Sequence, residues 1–486
     1  MYGSHTASSL LQTYEDAISM FDIEKKLVRL ITDNASNNVK AFQNLIIPGF
    51  ESYFTCDDDG EEGESDIDPD GFFDDDESDY DGSVTMDDGS NLSESIKTSF
   101  DNITSCNESL RIPCFAHTIQ LVVRDGLKEA SSLKPALVKV SKIAKLSRTS
   151  TTFAEKLEKI GKSIPAANKT RWNSQFDTVE KTLRVSSTEL NEMLVTVKRK
   201  DLCLLTKDYQ MLNEFLSLLA LFAEATTIIQ SEHTSSISLV GPTISSIYFD
   251  LLNEQSNVVF TSPMCQTLIT SLIARFGGLL EEMEVDIDQS IKKKNTYELY
   301  KDPLFIYAPF LDGKFKLTWI MESPLASEKR TRVCDKIKRL VYDHCVLLHH
   351  DMRSVPCQEI NAVQNGETTT TTSRSTTPKR KSLFSNIENK NVKRAKIDNY
   401  AFIRDEINTY LHDDTRNQNK FLLNNGLNQY KSLSLLAKKV LSVPATSAPV
   451  ERIFSQSGFI FRQHRAKMSR KTLQMLTMLK CNKALI

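Results

Sequence analysis

Two carboxylates stand out by position. Glu451 lies in Pro444-Ala445-Thr446-Ser447-Ala448-Pro449-Val450-Glu451-Arg452-Ile453-Phe454-Ser455. That stretch opens like a helix: Thr446 or Ser447 can cap the first free N–H groups, and Pro449 sits where no N–H is needed. Val450, Ile453 and Phe454 recur at helical spacing and make one face apolar. From Arg452 to Ile486 there is no Asp or Glu, yet Arg452, Arg462, Arg465, Lys467, Arg470, Lys471, Lys480 and Lys483 are present. A lone acid heading such a tail is either a partner for the helix dipole or a metal ligand, and the tail itself suits a polyanion. Asp33 follows the β-branched run Leu27-Val28-Arg29-Leu30-Ile31-Thr32 and leads into Asn34-Ala35-Ser36-Asn37. A strand-to-helix junction of this kind is where α/β folds place site residues. The alternative there is a plain helix cap.

Two other constellations could carry chemistry. In Arg111-Ile112-Pro113-Cys114-Phe115-Ala116-His117-Thr118, Cys114 and His117 are three apart and would share a helix face. Zinc needs about four ligands, and no second Cys/His pair lies at finger spacing, so no zinc site is expected in this chain. In Lys169-Thr170-Arg171-Trp172-Asn173-Ser174, the Trp beside an Arg can stack on an unpaired base, or it can pack in a core with the Arg over its rim.

The elements that must position these residues are mostly helical. The spacing predicts a helix over 8–22, a strand over Leu27–Thr32 and a helix carrying Val39, Ala41, Phe42 and Leu45. A basic helical run covers Ala130–Ile160, and successive helices fill 185–355, with Leu212, Phe215, Leu219 and Phe222 as one apolar stripe. Tyr400–Leu411 and a helix through Leu433, Leu436 and Val440 lead to the Glu451 segment. Gly458 is expected to break it, and Ser469 to cap a last helix with Leu473, Leu476 and Leu479 on one side.

Composition sets the limits. The 486 residues, 40% hydrophobic and 25% charged, suffice for two or three domains with a real core. The net charge of −3 hides an asymmetry, because residues 57–88 hold 17 acids and no Lys or Arg. Without them, 60 basic residues face 46 acidic ones, a balance of +14 that points to nucleic acid. Residues 55–96 read as a disordered insertion, and they lack the register of a calcium loop. Residues 358–398 are of low complexity and contain Lys379, Arg380 and Lys381, then Lys393, Arg394 and Lys396. These two clusters suit a bipartite nuclear import signal, so the nucleus is the expected location. Nine scattered cysteines fit a reducing compartment better than a disulfide framework. The apolar run Leu216–Ile229 is interrupted by Glu224, and no membrane association is expected.

Several of these motifs, in this order, resemble the hAT superfamily of DNA transposases (hobo, Activator, Tam3), which includes zinc-finger BED-type relatives. Thr32-Asp33-Asn34-Ala35-Ser36-Asn37-Asn38 resembles the segment holding the second catalytic acid. Ser447-Ala448-Pro449-Val450-Glu451-Arg452-Ile453-Phe454-Ser455 resembles the segment holding the third, within a C-terminal dimerisation region. The Cys114/His117 pattern and Arg171-Trp172 match hallmarks that, in the family, shape the active site and its DNA contacts. Leu311-Asp312-Gly313-Lys314-Phe315-Lys316 resembles an element of the family's helical insertion in which Asp312 is structural.

The resemblance implies an α/β RNase H-like core, incomplete at its N-terminus and interrupted by a large all-α insertion. It divides the chain into a first core segment (1–54), the acidic insertion (55–96), a second core segment (97–184), the helical insertion (185–357), the basic linker (358–398) and the dimerisation region completing the core (399–486). It makes Asp33 and Glu451 the acids of a Mg2+ or Mn2+ site if the chain is active. Cys114, His117, Arg171, Trp172, Arg452, Arg462, Arg465 and Lys467 become DNA contacts, and a homodimer or higher homo-oligomer becomes the expected assembly. The first acid of the triad is expected upstream of a His-Thr that His5-Thr6 matches, so no residue is nominated for it. The expected function is therefore a transposase-derived, DNA-binding, dimerising nuclear protein without cleavage. The alternatives are a fragment of an active two-metal transposase and a helical interaction scaffold.

Overall fold

The computed structural model describes residues 7–23, 27–33, 38, 111–167, 172–230, 235–288, 290–291, 294, 296–354, 400–413, 428–461 and 468–482. The acidic segment, the low-complexity segment with all six import-signal residues, the predicted helix through Val39–Leu45, and Arg171, Arg462, Arg465 and Lys467 lie outside these residues.

Among the described residues the fold is mostly helical, with one two-stranded sheet. In chain order it comprises α1 (Ala7–Phe21), β1 (Leu30–Thr32), β2 (Arg111–Pro113), α2 (Phe115–Lys128), α3 (Lys134–Thr149), α4 (Thr151–Lys159), α5 (Trp172–Leu183) and α6 (Ser187–Thr196). It continues with α7 (Thr206–Ile229), α8 (Ile237–Glu254), α9 (Ser262–Glu282), α10 (Thr296–Leu299), α11 (Leu304–Leu311), α12 (Thr318–Met321) and α13 (Ser327–Ser354). The last four helices are α14 (Ala401–His412), α15 (Lys431–Val440), α16 (Ala448–Ile460) and α17 (Arg470–Cys481). β1 and β2 are parallel, with Leu30 opposite Arg111, Ile31 opposite Ile112 and Thr32 opposite Pro113. The predicted strand is right in place but shorter at its start, and the helical run over 130–160 divides at Ser150, whose hydroxyl accepts from Phe153 N–H and caps α4.

One continuous core gathers side chains from Ile112 to Ala445. α2 packs on α9 and α7, α8 lies between α7, α9 and α11, and α15 closes the other side against α13. α11 is buried along its whole length, Leu304 to Leu311. At 24 residues α7 is long and apolar enough to cross a membrane, more so than the sequence suggested because the helix extends back to Thr206. Its Met211, Leu212, Phe215, Leu218, Leu219 and Phe222 are buried in the core, the packing of an interior helix.

Polar contacts fix several junctions. The Glu214 carboxylate accepts the N–H groups of Val259, Phe260 and Thr261 (3.0, 2.9 and 2.9 Å) and the Thr261 hydroxyl (2.8 Å), satisfying the free donors ahead of α9. Asp312 is structural, as expected: it is buried and accepts from Ser238 Oγ (2.8 Å) and Lys314 N–H (3.0 Å). Four residues on, Lys316 reaches the C-terminal end of α14, where its ammonium donates to the carbonyls of Tyr410 (2.6 Å) and Asp413. The Leu311–Lys316 element thereby fastens the start of α8 to the end of α14.

Candidate functional site at the Cys114 junction

The sheet is small, but three distant segments meet at its end. Cys114 N–H donates to the Thr32 carbonyl (2.7 Å), extending the parallel ladder by one bond, and Phe115 N–H donates to the Ala445 carbonyl (2.9 Å). The buried Cys114 Sγ then receives the Ser447 N–H (3.5 Å) and hydroxyl (3.3 Å) and lies 3.5 Å from Thr446 Oγ1. On the far side, Ala445 N–H donates to Ser236 Oγ (2.8 Å), so the segment before α16 is held between α8 and Cys114. Cys114 therefore joins β1, which ends just before Asp33, to the turn that begins the Glu451 helix.

The two acids are held by neighbours in the chain. Asp33 Oδ1 accepts from Asn38 Nδ2 (2.5 Å), and its carbonyl accepts from Arg111 Nη2 (2.9 Å). Glu451, exposed in the first turn of α16, accepts the Ser447 hydroxyl at 2.8 Å. Ser447 occupies the N-cap position without lending its side chain to that role, while Thr446 Oγ1 accepts the Ala448 N–H (3.1 Å). Arg452 donates from Nη2 to the Gln230 carbonyl (2.7 Å), so this expected DNA contact caps the end of α7. His117 sits half-buried in the first turn of α2. Trp172 opens α5 and packs against the core, and its buried indole Nε1, like the neighbouring Asn173 Oδ1, has no hydrogen-bond partner among the described residues.

Sequence reasoning does not single out Arg111, yet its position is the most telling. It is buried on β2, and its guanidinium donates to Thr32 Oγ1 (2.8 Å) as well as to the Asp33 carbonyl. Burial pulls it down to about 10, with the nearby Asp33 opposing that shift, so it remains a cation at neutral pH behind the tip of β1. The available signal is a cation immediately before the apolar Ile112-Pro113 pair, where the strand has to be buried. Spacing offers Ser447 only as a cap; its bridging of Cys114 and Glu451 depends on a tertiary contact that no spacing encodes.

Asp33 and Glu451 offer oxygen donors of the kind Mg2+ and Mn2+ take. Among the described residues, however, no group of three or more His, Cys, Asp or Glu could hold a metal ion. These two acids alone fall short of the donor set that a pair of metal ions requires.

Two family models match the chain. Residues 112–214 match the ZBED1 RNase-like helical domain, and residues 420–482 match the hAT family C-terminal dimerisation region. The chain is a relative of the hAT/ZBED-type transposases. The first match begins on β2 and contains Cys114, His117 and Trp172; the second contains α15, α16, α17 and Glu451. The two matched regions meet where Phe115 N–H donates to the Ala445 carbonyl and Ser447 donates to Cys114 Sγ. The dimerisation-region match supports self-association. No curated protein matches the chain.

Proposed function

We propose that this is a transposase-derived nuclear protein that binds DNA and self-associates, and that the Asp33–Cys114–Glu451 junction is kept as architecture rather than as a cleavage centre. One observation carries the self-association. α16 and α17 pack on each other through a polar seam, Ser457 Oγ to Thr477 Oγ1 at 3.1 Å, and leave their large apolar side chains outside. Val450, Phe454 (68% exposed) and Phe459 on α16 and Met475, Met478 (63% exposed) and Leu479 on α17 are all exposed. Apolar surface of this extent on one hairpin marks an interaction site, and the match to a dimerisation region makes a second copy the fitting occupant.

The case against cleavage rests on how the acids are occupied. The Asp33 carboxylate accepts from Asn38 and that of Glu451 from Ser447, without a third acid beside them among the described residues. An RNase H-like core would hold β1 and β2 as neighbouring parallel strands, and their parallel pairing is compatible with that reading. Nuclear entry would use Lys379, Arg380, Lys381, Lys393, Arg394 and Lys396, and alanines there should leave a fluorescent fusion in the cytoplasm.

The deciding experiment is a nicking assay on supercoiled DNA with Mg2+ or Mn2+. No product above the Asp33→Asn/Glu451→Gln double variant is expected. Metal-dependent nicks that vanish in that variant would establish the second reading, an active transposase, which the meeting of β1 and α16 at Cys114 favours.

A further inference from the structure

The helix α3 carries five cations, Lys134, Lys139, Lys142, Lys145 and Arg148, and no carboxylate. Their partners divide them. Lys139 faces inward, where it donates to Asp208 Oδ2 (2.7 Å) and the Cys203 carbonyl (3.4 Å). Lys134, Lys142, Lys145 and Arg148 are exposed. At 100° per residue these four fall within one wedge of the helix, and at 1.5 Å per residue they run for about 20 Å along it. The turn Lys200–Leu202 packs against the same helix and brings exposed Lys198 and Lys200 beside it. The acid in that turn, Asp201, is already held by Arg199 through two hydrogen bonds of 2.9 and 2.8 Å. Two segments separated by about fifty residues thus contribute cations to one surface, and Asp208 and Asp201 beside it are bonded to Lys139 and Arg199. The acids Glu155 and Glu158 belong to the next helix, α4, where Lys156 and Lys159 accompany them.

We propose that this face of α3, with the Lys198–Lys200 turn, is a contact surface for the phosphate backbone of duplex DNA. The inference rests on the DNA-binding reading above and assigns that binding to residues outside the family-like motifs. A rigid helical row of cations matches a rigid, evenly spaced line of phosphates, whereas a flexible acidic peptide needs no such row. The contacts are to phosphate, so they position the protein without reading sequence. The row also leads towards the Trp172 motif: Ser147 Oγ donates to the Ile164 carbonyl (2.9 Å), fastening the end of α3 to the segment that continues into Trp172.

The test is fluorescence-anisotropy titration of the full chain with a 30-base-pair duplex across a salt series. The triple variant Lys142→Ala/Lys145→Ala/Arg148→Ala should weaken binding about tenfold or more and make the slope of log K against log salt shallower by about 2 to 3, at about 0.9 per lost phosphate contact. A control triple, Arg332→Ala/Lys336→Ala/Lys338→Ala, removes equal charge from cations that are ion-paired on α13 to Glu284, Glu282 and Asp335. It should leave the slope unchanged. The charge-preserving Lys142→Arg/Lys145→Arg/Arg148→Lys should restore wild-type binding, separating charge from folding. If the wild type binds no duplex with salt dependence, the DNA-binding reading itself fails. If it binds and both triples lose equally, or the α3 triple loses nothing, the surface lies elsewhere and only this inference falls. Tighter binding to duplex RNA than to duplex DNA would overturn the choice of partner.

Discussion

The helical middle of the molecule and its C-terminal hairpin are both rich in large apolar residues, and they dispose of them in opposite ways. α8, α9 and α11 bury theirs against one another; α9 alone hides Leu268, Leu272, Phe276, Leu279 and Leu280. α16 buries only Ala448 and Ile460, and α17 turns Met475, Leu476, Met478 and Leu479 outward. Helical periodicity is present in both. It indicates that a face wants cover, and it is silent on whether the cover comes from the same chain. The contrast separates a region whose apolar side chains are covered within the chain from one that leaves them exposed.

Substitutions can break that contrast. The largest effect is expected at Gly241, where a Cβ would meet the Phe305 carbonyl oxygen at 2.5 Å and the Trp319 ring at 3.0 Å. Neither backbone nor the packed indole can yield, so Gly241→Val should cost about 3 kcal/mol or more and leave little soluble protein, read by expression and thermal unfolding. Phe305→Ala, in the wholly buried α11, should lower stability by about 3–5 kcal/mol in denaturant titration. The hairpin should behave otherwise. Phe454→Asp with Met478→Asp should shift the mass measured by light scattering from oligomer to monomer, while the unfolding of that monomer changes by less than about 1 kcal/mol. A drop in stability as large as that for Phe305→Ala would show that the hairpin packs within its own chain.

A smaller effect concerns pH. Burial raises the Asp312 carboxyl above its ordinary value. A raised acid binds its proton more tightly when folded, so its contribution is fully present below about pH 4 and is lost as the pH rises through the raised value. Asp312→Asn should flatten that decline in stability against pH. Smallest is Ser447→Ala, which removes hydroxyl bonds to Cys114 and Glu451 and should cost about 1 kcal/mol with DNA affinity unchanged.

Much of this is legible in the sequence, for reasons that can be named. β1, the helix beginning at Ala448 and the stripe along α7 follow from β-branching, a Pro in the first turn and apolar spacing. Gly458 is expected to end its helix, yet α16 runs to Ile460; a glycine costs about 1 kcal/mol in a helix, too little to break one that α17 supports. The apolar stripe of α17 leads one to expect buried leucines. Its seam with α16 instead runs through Thr477, because hydroxyls can pair across two helices whose apolar residues face out. Asp33 and Glu451 are singled out by their motifs, but the contacts that hold their two segments are not visible there. They depend on Cys114, Ser447 and the buried Arg111, whose partners lie 333 and 78 positions away in sequence.

Glu214 carries a consequence of a different kind. Its carboxylate supplies the start of α9 with the acceptors that a bound anion or a local capping side chain would otherwise provide. The molecule thus brings its own counter-ion to that helix, and free phosphate or sulfate should find no vacancy there. In a lineage of such sequences, loss of the acid at 214 should be tolerated only together with a new cap near 261, so these two positions should drift as a pair.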